Sequence, residues 1–153
     1  MSSLIFRALD QHVVAGNADK PAIDDGTVSM TYAQLLAQTA ALAGGLAQVG
    51  VEEGTHVAVD VHGVAEVGAV LALARLGAIP EAVMPDSKGR FRIAGDPPVV
   101  HTGEHEYTWA TVLSAGKTDP MAAPDRDDRG YAELMMDMYE DIFATLTAGN
   151  TIT

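Results

Sequence analysis

The apolar and polar positions in the first third of the chain predict a short helix, a hairpin and a longer helix. Residues 6–14 have helical spacing and precede an Ala-Gly-Asn sequence that stops a helix. Two short extended runs within residues 21–30 are joined by Asp-Gly, a pair typical of tight hairpin turns. Thr31 can then serve as the N-cap of a helix whose leucines recur at helical spacing. That helix is predicted to end at Gly50, because glycine readily takes the left-handed conformation found at helix ends.

The next segment has the pattern of a βαβ unit. Valine alternates with other residues over 56–61, which predicts a strand, and the alanine-rich run 64–76 is a helix that ends at Gly77. Residues 78–84 form a second buried extended run. A strand, a helix and a strand within about 30 residues normally cross over right-handedly and pair in parallel. We therefore expect a parallel pair of strands covered by a helix.

The second half of the chain has a less regular pattern. Residues 86–98 contain two glycines and two prolines and are predicted to form an irregular connection. Residues 99–109 fit a hairpin that turns at Gly103, and a short helix is expected over 108–115.

A loop over 116–128 then precedes a last amphipathic helix over 131–146, and residues 149–153 are predicted to be a short strand. The apolar side chains that share one face of this helix are Tyr131, Leu134, Met135, Met138, Ile142 and Leu146.

Together these elements predict the α/β class, with a partial domain built on the βαβ unit, a short hairpin and a C-terminal amphipathic helix. We expect an α/β region over residues 1–85 and an irregular connection with a short hairpin over 86–130. Residues 131–153 are expected to complete the same domain with a helix and a short strand.

The amino-acid composition and the net charge exclude several classes of function. The chain has 153 residues, 48% hydrophobic and 20% charged, so it can build a core and wholesale disorder is not expected. Its 9 basic and 21 acidic residues leave a net charge of −12, which repels phosphate backbones and anionic lipids. The absence of cysteine excludes disulfide scaffolds, thiolate zinc sites and thiol catalysis. We expect no nucleic acid and no membrane among the partners.

The chain has no pattern of a signal peptide, because a basic region followed by a long apolar run is missing at its start. The longest apolar stretch, residues 64–84, is interrupted by Glu66, Arg75 and Glu81 and does not have the pattern of a membrane span. We therefore expect a cytoplasmic protein.

Five short motifs follow one another between residues 4 and 85. They are Asp-Lys-Pro-Ala-Ile at 19–23, Thr-Tyr-Ala-Gln-Leu at 31–35, Gly-Val-Glu-Glu-Gly at 50–54, Val-Ala-Val at 57–59 and Ala-Leu-Ala-Arg-Leu-Gly-Ala at 72–78. In this order they resemble the N-terminal region of AMP-forming acyl-CoA synthetases, members of the adenylate-forming enzyme superfamily. The resemblance implies a fold like the N-terminal subdomain of these enzymes. Thr55 and His62-Gly63 depart from it, since the family usually has an acid and often an asparagine at these places.

The tail continues the resemblance. Residues 107–109 and 124–131 are similar to the approach to the family's phosphate-binding loop, and residues 143–151 to a later helix-turn-strand. Where the family has a Thr-, Ser- and Gly-rich run ending in Pro-Lys-Gly, residues 132–137 are Ala-Glu-Leu-Met-Met-Asp. The resemblance thus implies a member with an internal deletion and a truncation. It lacks the family's phosphate loop, adenine-binding motif, ribose-binding aspartate segment and C-terminal lysine.

Two function classes remain open. One is an acyl-CoA synthetase-like ligase, for which the family implies ATP, Mg and coenzyme A, although we expect no cofactor and no independent adenylation for this chain. The other is a non-catalytic interaction module that forms a homo-oligomer or pairs with an intact synthetase relative. We assign no catalytic residue and no metal ligand, and the cofactor-binding residues stay open.

Ala115-Gly116-Lys117-Thr118 has the end of a P-loop motif, but Thr111 stands where the motif needs its first glycine. The preceding residues have helical spacing, so we expect a solvated turn. His101 and His105 are four residues apart and can share one face, but no third ligand is evident. We expect surface histidines there.

Three other groups of residues invite a functional interpretation. Asp125, Asp127 and Asp128 have some spacing of a calcium loop, but the twelfth place holds Met136 in place of glutamate, so we expect a charged linker. His56 and His62 bracket the predicted strand, with Asp60 as the available carboxylate for a catalytic base. We interpret these as ordinary polar residues at strand ends. Among the methionines of the last helix, Met135 and Met138 are predicted to be core and Met136 exposed, the alternative being an adaptable binding surface.

Overall fold

The computed structural model describes residues 3–81, 91–124 and 128–153. These residues form two compact units. The terminal unit combines the N-terminal segment up to Ala37 with the segment from Ala123 onward, and the central unit is the uninterrupted segment Gln38–Ala122. The described elements are a π-helical segment (Phe6–Asp10), α1 (Gln11–Val14), β1 (Pro21–Asp24), β2 (Ser29–Thr31), α2 (Tyr32–Gln48), β3 (His56–Asp60), α3 (Val64–Leu76), β4 (Ile79–Glu81), β5 (Phe91–Ala94), β6 (Val99–His101), β7 (Glu106–Thr108), α4 (Trp109–Lys117), α5 (Arg129–Met138) and α6 (Glu140–Thr147).

The central unit contains a five-stranded mixed sheet in the order β4-β3-β5-β6-β7. Strand β3 pairs in parallel with β4 on one side and with β5 on the other, so Val57 lies opposite both Pro80 and Phe91. The pairs β5–β6 and β6–β7 are antiparallel. The predicted parallel βαβ unit is therefore confirmed in β3, α3 and β4.

Helix α3 provides much of the core of the central unit. Every residue from Val67 to Leu76 is buried, including the side chain of Arg75. Small residues such as Ala69 and Ala72 let the helix lie close to the inward-facing side chains of the sheet, among them Ile93. Burial of this apolar face, at roughly 25 cal/mol per Å² of area removed from water, is what holds the βαβ unit together.

Helices α2 and α4 approach each other to backbone contact within the central unit. Three glycines make this possible, because a Cβ atom at any of them would overlap a backbone carbonyl oxygen of the other segment. The pairs are Gly44 with Asp119, Gly45 with Val112, and Gly116 with Ala41. Larger residues cannot occupy these positions unless the helices move apart.

The terminal unit contains the predicted hairpin, in which β1 and β2 pair antiparallel. In the turn, the Asp25 carboxylate accepts hydrogen bonds from the backbone N–H groups of Thr27 (2.9 Å) and Val28 (2.7 Å). These hydrogen bonds hold the pKa of Asp25 below its ordinary value of 3.8. The predicted C-terminal strand is present as a single parallel bridge between Ile23 and Ile152.

The N-terminus of α2 is closed by the predicted cap. Thr31 Oγ1 accepts a hydrogen bond from the backbone N–H of Gln34 (3.1 Å), and the Gln34 side-chain oxygen accepts one from the backbone N–H of Thr31 (2.9 Å). This reciprocal pair is a capping box. At the other end, the left-handed Gly50 (φ 109°) and the bond from Val51 N–H to the Leu46 carbonyl end the helix as predicted.

Several predictions about the second half are wrong in detail. The predicted irregular connection contains strand β5, which begins at Phe91. This strand pairs with β3 and is the middle strand of the sheet. The predicted short helix extends to Lys117. The last helix is in fact two, because α5 ends at Met138 and α6 begins at Glu140. Residues 82–84 and 86–90 lie outside the described residues, and the three-region division of the chain stays a prediction.

The break at Tyr139 changes which side chains of the last helices are buried. Met135 is fully buried, as predicted, and Met136 is half-buried. Met138, predicted to be core, is 39% exposed, and Leu134 from the same predicted face is 38% exposed. Within α5 the buried residues are Ala132 and Met135, which are three positions apart, and Leu134 and Met138 lie beside that narrow inward side. Among the described helices, none is both long and apolar enough to cross a bilayer.

Candidate functional site

The Ala-Gly-Lys-Thr motif lies at the end of helix α4. Lys117 is the last residue of that helix and Thr118 is its C-cap, so the predicted turn is wrong. Gly116 faces the carbonyl oxygen of Ala41 on helix α2. This glycine is therefore explained by close helix packing, and its position does not form the open loop of backbone N–H groups that cradles a phosphate.

His101 and His105 lie on the β6–β7 hairpin, as predicted. His101 ends β6, and its Nδ1 atom is 3.4 Å from Glu106 Oε1. The His105 ring lies 6.2 Å from the Tyr107 ring, between centroids. The two histidines line a shallow 150 Å³ cavity with Glu104 and Glu106. In the part of the chain that the structure describes, no three such side chains are placed to hold a metal ion.

The polar residues of β3 are separated by the strand. His56 Nδ1 is 2.6 Å from Glu81 Oε1 on the neighbouring β4. At the opposite end, Asp60 Oδ2 is 3.5 Å from a guanidinium nitrogen of Arg92 on β5. His62 is exposed after the strand. Because each pair is partly exposed, both contacts have small energetic value, and neither histidine is joined to Asp60 for base catalysis.

Asp128 has a structural partner in the terminal unit. Its Oδ2 atom accepts a hydrogen bond from the backbone N–H of Leu4 at 2.9 Å. Leu4 is at the start of the N-terminal helical segment, where backbone N–H groups have no partner within the helix. The carboxylate therefore stabilises that helix start. Asp125 and Asp127 lie outside the described residues.

A groove of about 390 Å³ lies along the C-terminal half of α2 in the central unit. It is lined by Gly44, Ala47, Gln48 and residues 119–122. Its charged lining residue is Asp119, and the Gln48 amide donates to the Ala115 carbonyl oxygen at 2.9 Å. The carboxylate of Asp119 repels the anionic phosphates of a nucleoside triphosphate, so the groove is poorly suited to that ligand.

Tyr32 is the most important polar residue that the sequence did not single out for a role. It is fully buried, and its hydroxyl donates to the carbonyl oxygens of Asn150 (2.6 Å) and Leu146 (3.3 Å). Burial raises the pKa of Tyr32 to about 12. The available sequence signal was its place in the Thr-Tyr-Ala-Gln-Leu motif. For the close approach of α2 and α4, the available sequence signal was the pair Gly44-Gly45 inside a predicted helix.

Solved structures of other proteins are similar to this fold. The N-terminal subdomain of NpsA from Klebsiella oxytoca matches with a TM-score of 0.59 and 19% identity, over 84% of this chain and 36% of that one. Apo MatB from Rhodopseudomonas palustris matches with a TM-score of 0.57 and 15% identity, over 83% of this chain and 30% of that one. The fold is thus of the class found in the N-terminal subdomain of adenylate-forming enzymes.

The sequence comparison places the chain more narrowly. Residues 10–93, more than half of the chain, match the family of AMP-binding enzymes, and the chain belongs to that family. The acetyl-coenzyme A synthetase of Cupriavidus taiwanensis is 42% identical over 87 residues, and that of Streptomyces coelicolor is 34% identical over 87 residues. These matches cover 51% and 53% of this chain but 13% of each relative, so the chain spans a small part of their length.

Proposed function

We propose that this chain is an acyl-CoA synthetase-like member of the AMP-binding enzyme family without independent adenylation activity. The observation that carries the proposal is helix α5. The sequence resemblance puts the family's phosphate-binding loop directly after residues 124–131, and there the chain is helical over Arg129–Met138. Within a helix, backbone N–H groups bond to the preceding turn and are not available to a triphosphate beyond the first turn.

The chemistry of adenylation supports the same conclusion. Attack of a carboxylate on ATP releases pyrophosphate, whose charge must be stabilised by fixed donors or cations. None of the candidate sites described above supplies such a set, since the Gly116 motif is used for helix packing and the groove beside α2 carries Asp119. The family ligands ATP, Mg and coenzyme A are therefore proposed for the lineage and not for this chain. We also propose the cytoplasm as its location.

Isothermal titration of the purified chain with Mg-ATP, AMP and coenzyme A, at low and high salt, tests this proposal. We expect no saturable heat with any of the three ligands. A full-length acetyl-coenzyme A synthetase, titrated in the same buffers, is the positive control. Saturable micromolar binding of Mg-ATP to this chain would contradict the proposal.

A second candidate function is a non-catalytic interaction module that self-associates or pairs with a full-length synthetase relative. The observation that favours it is the exposure of large apolar side chains in the terminal unit, with Val14 at 78% exposed and Val28 at 38%. Light scattering across micromolar concentrations should then give at least a dimer mass. A strictly monomeric mass, together with no binding to a full-length synthetase by titration, would reject this candidate.

A further inference from the structure

Helix α5 of the terminal unit leaves a row of apolar side chains uncovered. Its inward side holds Ala132 and Met135, which are buried. Leu134 and Met138 lie beside that side and are more than one-third exposed. Because residues four positions apart are neighbours on a helix, these two side chains form one continuous apolar row.

A row of carboxylates lies next to the apolar row. Glu133 and Asp137 are also four positions apart on α5, and both are exposed. The first residues of α6, Glu140 and Asp141, are exposed carboxylates as well. In the sequence from residue 128 to residue 153 there are five acidic residues and one basic residue, Arg129. We call Glu133, Leu134, Asp137 and Met138 the acidic strip.

We propose that the acidic strip binds a cationic amphipathic protein segment, in which apolar side chains at helical spacing are flanked by Lys or Arg. The apolar row of the strip supplies area that becomes buried on contact, and the adjacent carboxylates match the partner's charge. This inference goes beyond the proposed function, because it involves neither nucleotide nor acyl chemistry.

The charges argue against a second copy of this chain as the occupant. Two copies joined through the strip would bring Glu133 and Asp137 of each close to those of the other, and like charges at an interface disfavour association. The net charge of −12 for each chain adds to the repulsion. A partner segment rich in Lys and Arg is instead attracted to the acidic strip, over a Debye length of about 8 Å at physiological salt.

The test is a fluorescence titration of the full chain with a labelled amphipathic peptide made of Leu and Lys at helical spacing. Two double variants remove the two halves of the strip separately, Leu134→Ser with Met138→Ser and Glu133→Gln with Asp137→Asn. The matched controls change exposed residues elsewhere, Val14→Ser for the apolar half and Glu52→Gln with Glu104→Gln for the charged half. Thermal unfolding of each variant verifies that it is folded.

We expect each strip variant to raise the Kd for the peptide by about tenfold or more, and each control to change it by less than about twofold. A shift of the Met138 methyl NMR signal during the titration is the second expected result. Equal weakening by the strip and control variants would mean attraction to the acidic chain as a whole and would overturn the proposal. So would a dimer of this chain that dissociates on the Leu134→Ser, Met138→Ser change.

Discussion

Tyr32 shows how one side chain can join segments that are far apart in the sequence. Its hydroxyl donates to carbonyl oxygens 114 and 118 residues further along the chain. The ring also contacts His12, with the ring centroids 4.9 Å apart. The Leu146 carbonyl lies in the last turn of helix α6 and also accepts from the backbone N–H of Gly149, whereas the Asn150 carbonyl lies beyond the end of the helix. By donating to these carbonyl groups, the Tyr32 hydroxyl joins the start of α2 to the chain around the end of α6 within the terminal unit.

The Tyr32→Phe substitution should lower the free energy of unfolding by about 1–2 kcal/mol, because it removes buried hydrogen bonds while it keeps the ring. Urea unfolding followed by circular dichroism measures the change. Tyr107→Phe is the matched control, since Tyr107 is partly buried on β7, and it should change the stability by less than about 0.5 kcal/mol. Equal effects of the two substitutions would contradict the role given to Tyr32.

Tyr32 should also make the stability fall at alkaline pH. Its pKa is raised from 10 to about 12 by burial, so the folded state favours the neutral hydroxyl. The stabilisation that follows is complete below pH 10 and is lost as the pH rises through about 12. Urea midpoints measured from about pH 9 to about pH 12 should therefore fall less steeply for Tyr32→Phe than for the unchanged chain. Parallel curves would show that Tyr32 does not titrate in this way.

At the scale of elements, the close approach of α2 and α4 requires glycine, which has no side chain, at the points of contact. Glycine in a helix interior lowers helix propensity, so the sequence alone indicates only that Gly44 and Gly45 weaken their helix. The structure explains both glycines, because a Cβ atom added to either would overlap the carbonyl oxygen of Asp119 or Val112. The same reason accounts for Gly116, which was predicted to lie in a solvated turn and not in a phosphate-binding loop.

Gly116→Ala should lower the free energy of unfolding by about 3 kcal/mol or more, because its new Cβ atom meets a backbone carbonyl that cannot move without separating the helices. Gly130→Ala in α5 is the matched control. Among the described residues outside its own helix turn, none places an atom within 4 Å of its ideal Cβ position, and the substitution should be neutral or stabilise by up to about 1 kcal/mol. Chemical denaturation compares the two. Similar values would mean that α2 and α4 can separate easily.

The elements that the sequence predicted well are those whose signals are local. Helix α3 was predicted with its observed bounds, since it has an uninterrupted alanine-rich pattern and a closing glycine at Gly77. Strand β5 was missed, because it has four residues and Arg92 interrupts its apolar run, although the alternation of buried Phe91, exposed Arg92 and buried Ile93 is a strand signal. The carbonyl partners of Tyr32 could not be predicted, because contacts so distant in sequence leave no local pattern.

At the scale of the whole molecule, the net charge of −12 acts on every element. Carboxylates repel one another in the compact state, and the repulsion is reduced when salt screens it. The ion pair of Arg92 with Asp60 offsets little of this repulsion, because both side chains are partly exposed.

The melting temperature should therefore rise when NaCl is added to a low-salt buffer at neutral pH. Calorimetry from about 0.01 M to about 0.5 M NaCl, where the Debye length falls from about 30 Å to less than 8 Å, measures this rise. A matched series with sucrose, which carries no charge, separates screening from general solute effects. A melting temperature that is unchanged or lower in salt would show that self-repulsion does not limit stability.

The two-part construction of the terminal unit also has a consequence for the order of events during synthesis. The hydroxyl of Tyr32 and the carbonyl of Asn150 are 118 residues apart, and the whole central unit is made between them. At translation rates of about 5–20 residues per second, Tyr32 waits roughly 6–24 s for this acceptor. In the last part of that interval, after Ala122 has been made, the central unit has all of its residues, while the first part of the terminal unit still lacks its C-terminal partner segment. All residues of the central unit are therefore synthesised before the two segments of the terminal unit can pack together.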